Sequence, residues 1–186
     1  MDDRSIRLAR PESPDRLLDQ AEVIDWNRRD DYMPYWAYLW PGSHLLAKIV
    51  ARELIPANGN PLDPGPTRVL EMGCGLGLAG LAALARGCRV VFSDYDEAAF
   101  PFIERSIREN GFDPGLATMR RIDWRTPPLD RYSLVLGADI LYEKRLAPLV
   151  ADFLSQILEP DGIAWLTSPY RVAAEGFPAA ASKRGL

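Results

Sequence analysis

The strongest constraint on the fold is a run of glycines between two apolar stretches. One apolar stretch leads into Gly73, Gly75 and Gly77, and a second one leads into Asp94. This order predicts a buried strand, a tight turn, a helix and a second strand that ends in an acid, which is a nucleotide-binding half of an α/β fold. Glycine lets the backbone turn tightly and approach a ligand without a Cβ clash. The helix that follows presents N–H groups to a ligand, and the acid can accept hydrogen bonds from ribose hydroxyls.

These glycines fit two cofactor-binding motifs. Residues 75–80 (Gly-Leu-Gly-Leu-Ala-Gly) match the dinucleotide fingerprint G-x-G-x-x-G, with Asp94 near the expected distance of about 20 residues. The second register is acid-x-Gly-x-Gly-x-Gly, which runs from Glu71 to Gly77. The acid at its start disfavours a dinucleotide because a pyrophosphate would meet a like charge at short range, whereas a cationic cofactor would tolerate it.

Composition excludes several classes of protein. The 186 residues suit one domain with a sizeable core. The net charge of −4 disfavours a nucleic-acid-coating surface, and no apolar run could span a bilayer, so we expect no nucleic-acid or membrane partner. His44 is the only histidine, so we expect neither a His-centred triad nor a metal site. Cys74 and Cys88 form no disulfide framework, which predicts reduced thiols and a cytoplasmic location.

Strand and helix signals alternate along the chain. Residues 1–31 form a polar lead-in with a short helix at 15–27, and residues 32–186 form the cofactor-binding domain, with a helix from Pro41 and a loop at 57–66. The predicted strands cover residues 68–72, 89–93, 117–122, 133–138 and 163–168, and the remaining helices cover 78–85, 97–110, 145–158 and 173–181. This alternation predicts an α/β fold with a Rossmann-like, doubly wound, mainly parallel sheet and helices on both faces.

Three segments together resemble a known family. The register from Glu71 to Gly77 is similar to motif I of the class I (seven-strand) S-adenosylmethionine-dependent methyltransferases. Residues 35–42 (Tyr-Trp-Ala-Tyr-Leu-Trp-Pro-Gly) and Asp139-Ile140-Leu141-Tyr142 resemble its lysine methyltransferase subfamily with a D-x-x-Y motif, which includes the mitochondrial enzyme acting on the β subunit of electron-transfer flavoprotein. The resemblance implies S-adenosyl-L-methionine as cofactor, S-adenosyl-L-homocysteine as product, and a protein substrate that presents lysine. The alternatives are a small-molecule N- or O-methyltransferase, a NAD-binding oxidoreductase and a non-catalytic cofactor-binding protein.

Roles for individual residues also follow from the resemblance. The residues expected to hold the cofactor are Trp40, Glu71, Gly73, Gly75, Gly77, Asp94, Tyr95, Asp123, Trp124 and Ala138. Among them, Asp94 would accept hydrogen bonds from the ribose hydroxyls and Asp123 from the adenine amino group. Asp139 would orient the acceptor amine, with Tyr142 as a wall of its pocket. Two structural readings compete: Asp139 could cap a helix, and the aromatic residues at 35–40 could serve core packing.

The C-terminal part of the chain departs from the family pattern. Family members add a helix and an antiparallel hairpin after the fifth strand, whereas no strand signal follows residues 163–168 here. This predicts that the C-terminal hairpin is missing or truncated, which would leave an open sheet edge. Tyr170 and Arg171, just after the fifth strand, are candidates for lining the substrate mouth.

Overall fold

The computed structural model describes residues 5–30, 32–54, 67–169 and 172–186, and a parallel sheet lies at its centre. The strands are β1 (Arg68–Met72), β2 (Arg89–Asp94), β3 (Ala117–Arg121), β4 (Tyr132–Ala138) and β5 (Leu158–Thr167). In this part of the chain the strand order is β3-β2-β1-β4-β5, and all pairs are parallel. The predicted doubly wound sheet is therefore confirmed, and the order reverses between β1 and β4, where ligands bind in such folds.

Helices cover both faces of the sheet, as predicted. The helices of the described residues are α1 (Ala21–Asp30), α2 (Pro41–Glu53), α3 (Leu78–Leu84), α4 (Phe100–Glu109), α5 (Leu146–Ile157) and α6 (Phe177–Ser182). Helices α2, α3 and α4 pack on one face around Val69 and Phe92, and α5 packs on the other around Leu70 and Val135. Successive residues of a strand point to opposite faces, so the neighbours Val69 and Leu70 belong to different layers of the core.

The lead-in is tied to the rest of the fold by hydrogen bonds. Its predicted helix at 15–27 is divided by the extended backbone of Gln20 (φ −73°, ψ 133°) into a 3-10 turn (Pro14–Asp19) and α1. The N–H of Arg7 donates to Oδ1 of Asn110 (2.8 Å), and Nδ2 of Asn110 donates back to the carbonyl of Arg7 (2.7 Å). These bonds fix the extended start of the chain to the end of α4. The division into a lead-in and a domain at residue 32 stays a prediction.

Strand β5 begins earlier than predicted. Tyr132 pairs with Leu158 and Leu134 pairs with Ile163, so residues 159–162 bulge out of the ladder opposite a single residue of β4. The Pro-Asp-Gly sequence in this bulge is a turn signal, which hid the start of the strand. The predicted loop at 57–66, Tyr170 and Arg171 lie outside the described residues. Among the helices that the structure describes, none has the length and apolar character needed to cross a membrane.

Candidate active site

Loops from four strands meet at the carboxyl edge of the sheet. The N–H of Gly75, after β1, donates to Oδ2 of Asp94 at the end of β2 (2.9 Å). A Cβ placed on Gly73 would lie 3.1 Å from Cγ2 of Ile140, after β4, and 3.1 Å from Cζ2 of Trp124, after β3. The structure therefore brings together the glycine loop, Asp94, Trp124 and the turn that follows β4.

The backbone of the loop between β1 and α3 requires glycine. Gly73, Gly75 and Gly77 have φ of +58°, +49° and +75°, in the left-handed region that L side chains rarely adopt. A Cβ on Gly75 would lie 3.2 Å from the carbonyl oxygen of Trp36, so the aromatic segment at 35–40 lies directly on the loop. The loop is therefore a tight turn at the centre of the sheet edge, and other residues pack closely against its glycines.

Glu71 lies beneath this loop rather than on its outer surface. Its side chain points to the same face of β1 as Val69 and is 2% exposed. There Oε2 accepts a hydrogen bond from the N–H of Gly80 in α3 (2.9 Å). Burial raises the pKa of Glu71 to about 8, although hydrogen bonds from Gly80 and Ala79 oppose that rise. The carboxyl group thus satisfies the first turn of α3, whose N–H groups the glycine pattern had predicted to face a ligand.

Asp94 organises the turn after β2. Its Oδ2 accepts the Gly75 N–H, and its Oδ1 accepts the N–H of Asp96 (3.0 Å). Burial raises the pKa of Asp94 to about 6, and the two N–H groups oppose that rise. The hydroxyl of Tyr32 donates to Oδ2 of Asp96, so the residue just after the lead-in reaches the same turn.

Tyr95 and Asp123 are linked by Arg125, which contacts both of them. The ring of Tyr95 is half exposed, and the guanidinium groups of Arg121 and Arg125 lie 5.0 and 6.0 Å from its centroid. Nη2 of Arg125 donates to Oδ2 of Asp123 (2.6 Å), and this contact holds the pKa of the carboxyl below its usual range. Arg125 therefore connects Tyr95 with Asp123, two of the predicted cofactor-binding residues, and its charge is bound to Asp123.

Asp139 is buried in a hydrogen-bond network, formed with Gly42 and Thr167, that joins the end of β4 to α2 and β5. It has a φ of +57°, is 8% exposed, and accepts the N–H of Gly42 in α2 at Oδ2 (2.7 Å). The hydroxyl of Thr167 in β5 donates to the carbonyl of Gly42 (2.9 Å), and the N–H of Asp139 donates to the carbonyl of Thr167 (2.8 Å). Ala138, just before it, is the register partner of Thr167. Within the described part of the chain, Oδ1 of Asp139 is buried without a hydrogen-bond partner.

An aromatic cluster lies beside this hydrogen-bond network. It is formed by Tyr35, Tyr38, Trp40 and Tyr142. The ring of Tyr35 meets that of Tyr142 edge to face at 5.4 Å and that of Trp40 at 5.9 Å, and Trp40 lies 6.2 Å from Tyr38. Nε1 of Trp40 donates to the carbonyl of Tyr35 (3.0 Å). Tyr35 is 41% exposed and Tyr142 is 38% exposed. The structure thus places Trp40 with Tyr142, and it places Trp36 against the glycine loop.

Three contributors to the site were missed in the sequence. Thr167 carries no local motif, because its partners lie far away in the chain. Arg125 follows Asp123 by two residues, a spacing at which its side chain can fold back onto the acid. The sequence could therefore have predicted this ion pair. Tyr32 reaches Asp96 across 64 residues and had no local signal.

The parallel sheet and its carboxyl edge define a Rossmann-like α/β fold. The ribosomal protein L11 methylase of Lactobacillus delbrueckii subsp. bulgaricus shares the fold with a TM-score of 0.62 at 16% identity, over 79% of this chain and 70% of that chain. The model of the lysine methyltransferase family matches residues 35–176. The chain belongs to the lysine methyltransferase family, and the predicted fold and family are confirmed.

Two curated relatives illustrate the family. The chain is 30% identical over 131 residues to the electron transfer flavoprotein beta subunit lysine methyltransferase of Xenopus laevis, which covers 69% of this chain and 49% of that protein. It is 26% identical over 159 residues to the histidine protein methyltransferase 1 homolog of Dictyostelium discoideum, which covers 83% of this chain and 48% of that protein. The chain therefore spans about half the length of these relatives.

Proposed function

We propose that this protein is an S-adenosylmethionine-dependent methyltransferase that N-methylates lysine side chains of a protein substrate. The observation that carries the proposal is the contact between the glycine loop and the Asp139-to-Tyr142 turn, in which Ile140 lies 3.1 Å from the position of a Gly73 Cβ. A cofactor held on the loop and an acceptor held by the turn would therefore be neighbours. The family match and the lysine methyltransferase named among the relatives support this choice.

The residues at the sheet edge fit this cofactor. Three glycines with positive φ give the loop a tight turn whose backbone N–H groups carry no side chains between them and a ligand at the sheet edge. Asp94 stands where it can accept hydrogen bonds from two ribose hydroxyls, and Tyr95 and Trp124 can border the adenine. When bound, the cofactor supplies a methyl group activated by a sulfonium cation. Glu71 contributes indirectly, because it holds the first turn of α3 and with it the shape of the loop.

The acceptor side must deliver an uncharged amine. A free lysine has a pKa of ~10.4, so the amine has to lose a proton before it can attack. An amine that binds between the rings of Tyr35 and Tyr142 would lose part of its contact with water, and such burial lowers the pKa of an amine. The unpartnered Oδ1 of Asp139 is the oxygen that can orient the amine. Because a carboxylate also stabilises an ammonium, Asp139 assists only if it passes the proton on to water.

Incubation with labelled S-adenosylmethionine and a cell lysate tests the proposal. The protein should label a lysate protein on lysine, as identified by mass spectrometry of the band. The variant Asp139→Asn keeps one side-chain oxygen for the Gly42 N–H and replaces the unpartnered Oδ1 by an amide NH2 group. It should therefore lower labelling about 100-fold. S-adenosylhomocysteine binding should be unchanged in that variant. Arg105→Ala, which removes an exposed ion pair with Glu109 on α4, is the matched control and should label normally.

Other outcomes of this experiment assign other acceptors. Labelled metabolites without a labelled protein would support a small-molecule methyltransferase instead. Label on histidine would assign the acceptor that the name of the Dictyostelium relative gives. Cofactor binding without turnover would leave a non-catalytic binding protein.

A cytoplasmic location is part of the same proposal. Cys74 and Cys88 are both buried free thiols, which suits a reducing compartment. Microscopy of the chain fused to a fluorescent protein should show cytoplasmic signal, and signal confined to an organelle would contradict it.

A further inference from the structure

The carboxylate of Asp123 is engaged at both oxygens by a single neighbour. Its Oδ1 accepts the backbone N–H of Arg125 (2.9 Å) and the Nε–H of the same residue (2.9 Å). Its Oδ2 accepts Nε (3.0 Å) and Nη2 (2.6 Å). Three N–H groups of Arg125, one of them shared between the two oxygens, thus occupy most of the roughly four lone-pair positions of the carboxylate, and another donor has to compete with them. An adenine amino group would find its acceptor already largely occupied.

The local backbone holds this arrangement in place. The N–H of Thr126 donates to the carbonyl of Asp123 (2.9 Å), which closes a turn and points Arg125 back over the carboxylate. The guanidinium of Arg125 also lies 6.0 Å from the ring of Tyr95. A guanidinium that leaves the carboxylate can therefore remain against an aromatic face, where a cation is favoured.

We infer that Arg125 is a gate at the adenine end of the cofactor site: its side chain occupies Asp123 in the resting protein and turns away when adenine binds. The inference rests on the proposed function, because it takes Asp123 as the acceptor of the adenine amino group. Arg125 is thus a residue that sets cofactor affinity and selectivity for the base. The Asp123 and Arg125 side chains are 29% and 67% exposed, so solvent screens the pair and the gate opens at modest cost.

Calorimetric titration of the full chain with S-adenosylhomocysteine tests the gate. Arg125→Ala frees the carboxylate and should tighten binding about two- to fivefold, the range expected for breaking an exposed ion pair. Arg125→Lys, which cannot form the two-pronged contact, should lie between the wild type and the alanine variant. Arg105→Ala, which removes an exposed ion pair on α4, is the control and should bind like the wild type.

A second ligand separates the gate from a general effect on the surface. The analogue with purine in place of adenine lacks the 6-amino group and has no donor for Asp123. Arg125→Ala should tighten S-adenosylhomocysteine without tightening this analogue. Weaker or unchanged binding of S-adenosylhomocysteine by Arg125→Ala, or equal tightening of both ligands, would overturn the gate. A wild-type protein that binds neither ligand would overturn the proposed function itself.

Discussion

The loops after β1 and β4 lie side by side at the sheet edge, yet they are held in different ways. The glycine loop after β1 is fixed by neighbours in sequence: Glu71 bonds to Gly80, and the N–H of Gly77 donates to the carbonyl of Cys74 (2.8 Å). The turn after β4 is fixed by distant elements, because Asp139 bonds to Gly42 across 97 residues. The cofactor side is therefore held largely by hydrogen bonds within residues 71–94, whereas the acceptor side depends on the packing of α2.

This difference predicts that the two sides fail separately. A change in the support of the glycine loop should alter stability and cofactor affinity together, since the loop is part of the central core. A change in the hydrogen-bond network around Asp139 should remove methyl transfer while the glycine loop still binds cofactor.

Replacing Glu71 by a side chain that cannot ionise should have the largest effect on the cofactor side, and it should change how the free energy of unfolding depends on pH. The pKa of Glu71 is about 8 in the fold, above the ordinary value of 4.5, so the folded protein holds a proton that the unfolded chain has lost. Stability from this group is complete below about pH 4.5 and declines by up to about 1.4 kcal/mol per pH unit until pH 8. Urea unfolding of Glu71→Gln should lack that decline. An identical decline in both proteins would show that Glu71 is not its source.

Alanine at position 42 should disrupt the acceptor side. A Cβ there would lie 2.4 Å from Oδ2 of Asp139 and 2.9 Å from Oγ1 of Thr167, inside the buried hydrogen-bond network. Gly42→Ala should cost about 1–3 kcal/mol of stability and abolish transfer to protein, while S-adenosylhomocysteine still binds. Ser43→Ala on the same turn of α2 should do neither. Loss of cofactor binding in parallel with transfer would refute the separation of the two sides.

Asp94 should give cofactor binding a pH dependence. Its pKa of about 6 means that the carboxylate, the form that accepts two hydroxyl hydrogen bonds, is lost as the pH falls through 6. The affinity for S-adenosylhomocysteine should fall about fivefold between pH 6 and pH 5. Calorimetry across this range should show a flat and weaker profile for Asp94→Asn. A wild-type affinity independent of pH would remove Asp94 from the ribose site.

The smallest effect concerns the contact between Tyr35 and Tyr142. Edge-to-face rings at 5.4 Å should be coupled by about 0.5–1.5 kcal/mol. A double-mutant cycle of Tyr35→Ala and Tyr142→Ala on the free energy of unfolding measures this coupling. The same cycle with the fully exposed Leu129 in place of Tyr142 should be additive. Additivity of the two tyrosines would mean that these rings do not hold the acceptor side together.

The comparison also explains what the sequence could predict. The glycine loop, its two strands and Asp94 are separated by short distances in the chain, so motif and periodicity identified them together. Contact of Glu71 with the cofactor stays a prediction, and the structure shows its side chain on the α3 face, as its alternation with Val69 along β1 could have indicated. The Thr167 hydroxyl meets the Gly42 carbonyl across 125 residues, and no local pattern can indicate such a contact.

Calorimetry of the wild-type chain against S-adenosylhomocysteine and NAD decides which cofactor the glycine loop holds. The two registers of the glycine motif differ in the ligand that they imply, and the account assigns the register from Glu71 to Gly77. It predicts that S-adenosylhomocysteine binds and that Asp94→Asn weakens this binding about tenfold or more. Tighter binding of NAD than of S-adenosylhomocysteine would contradict the account.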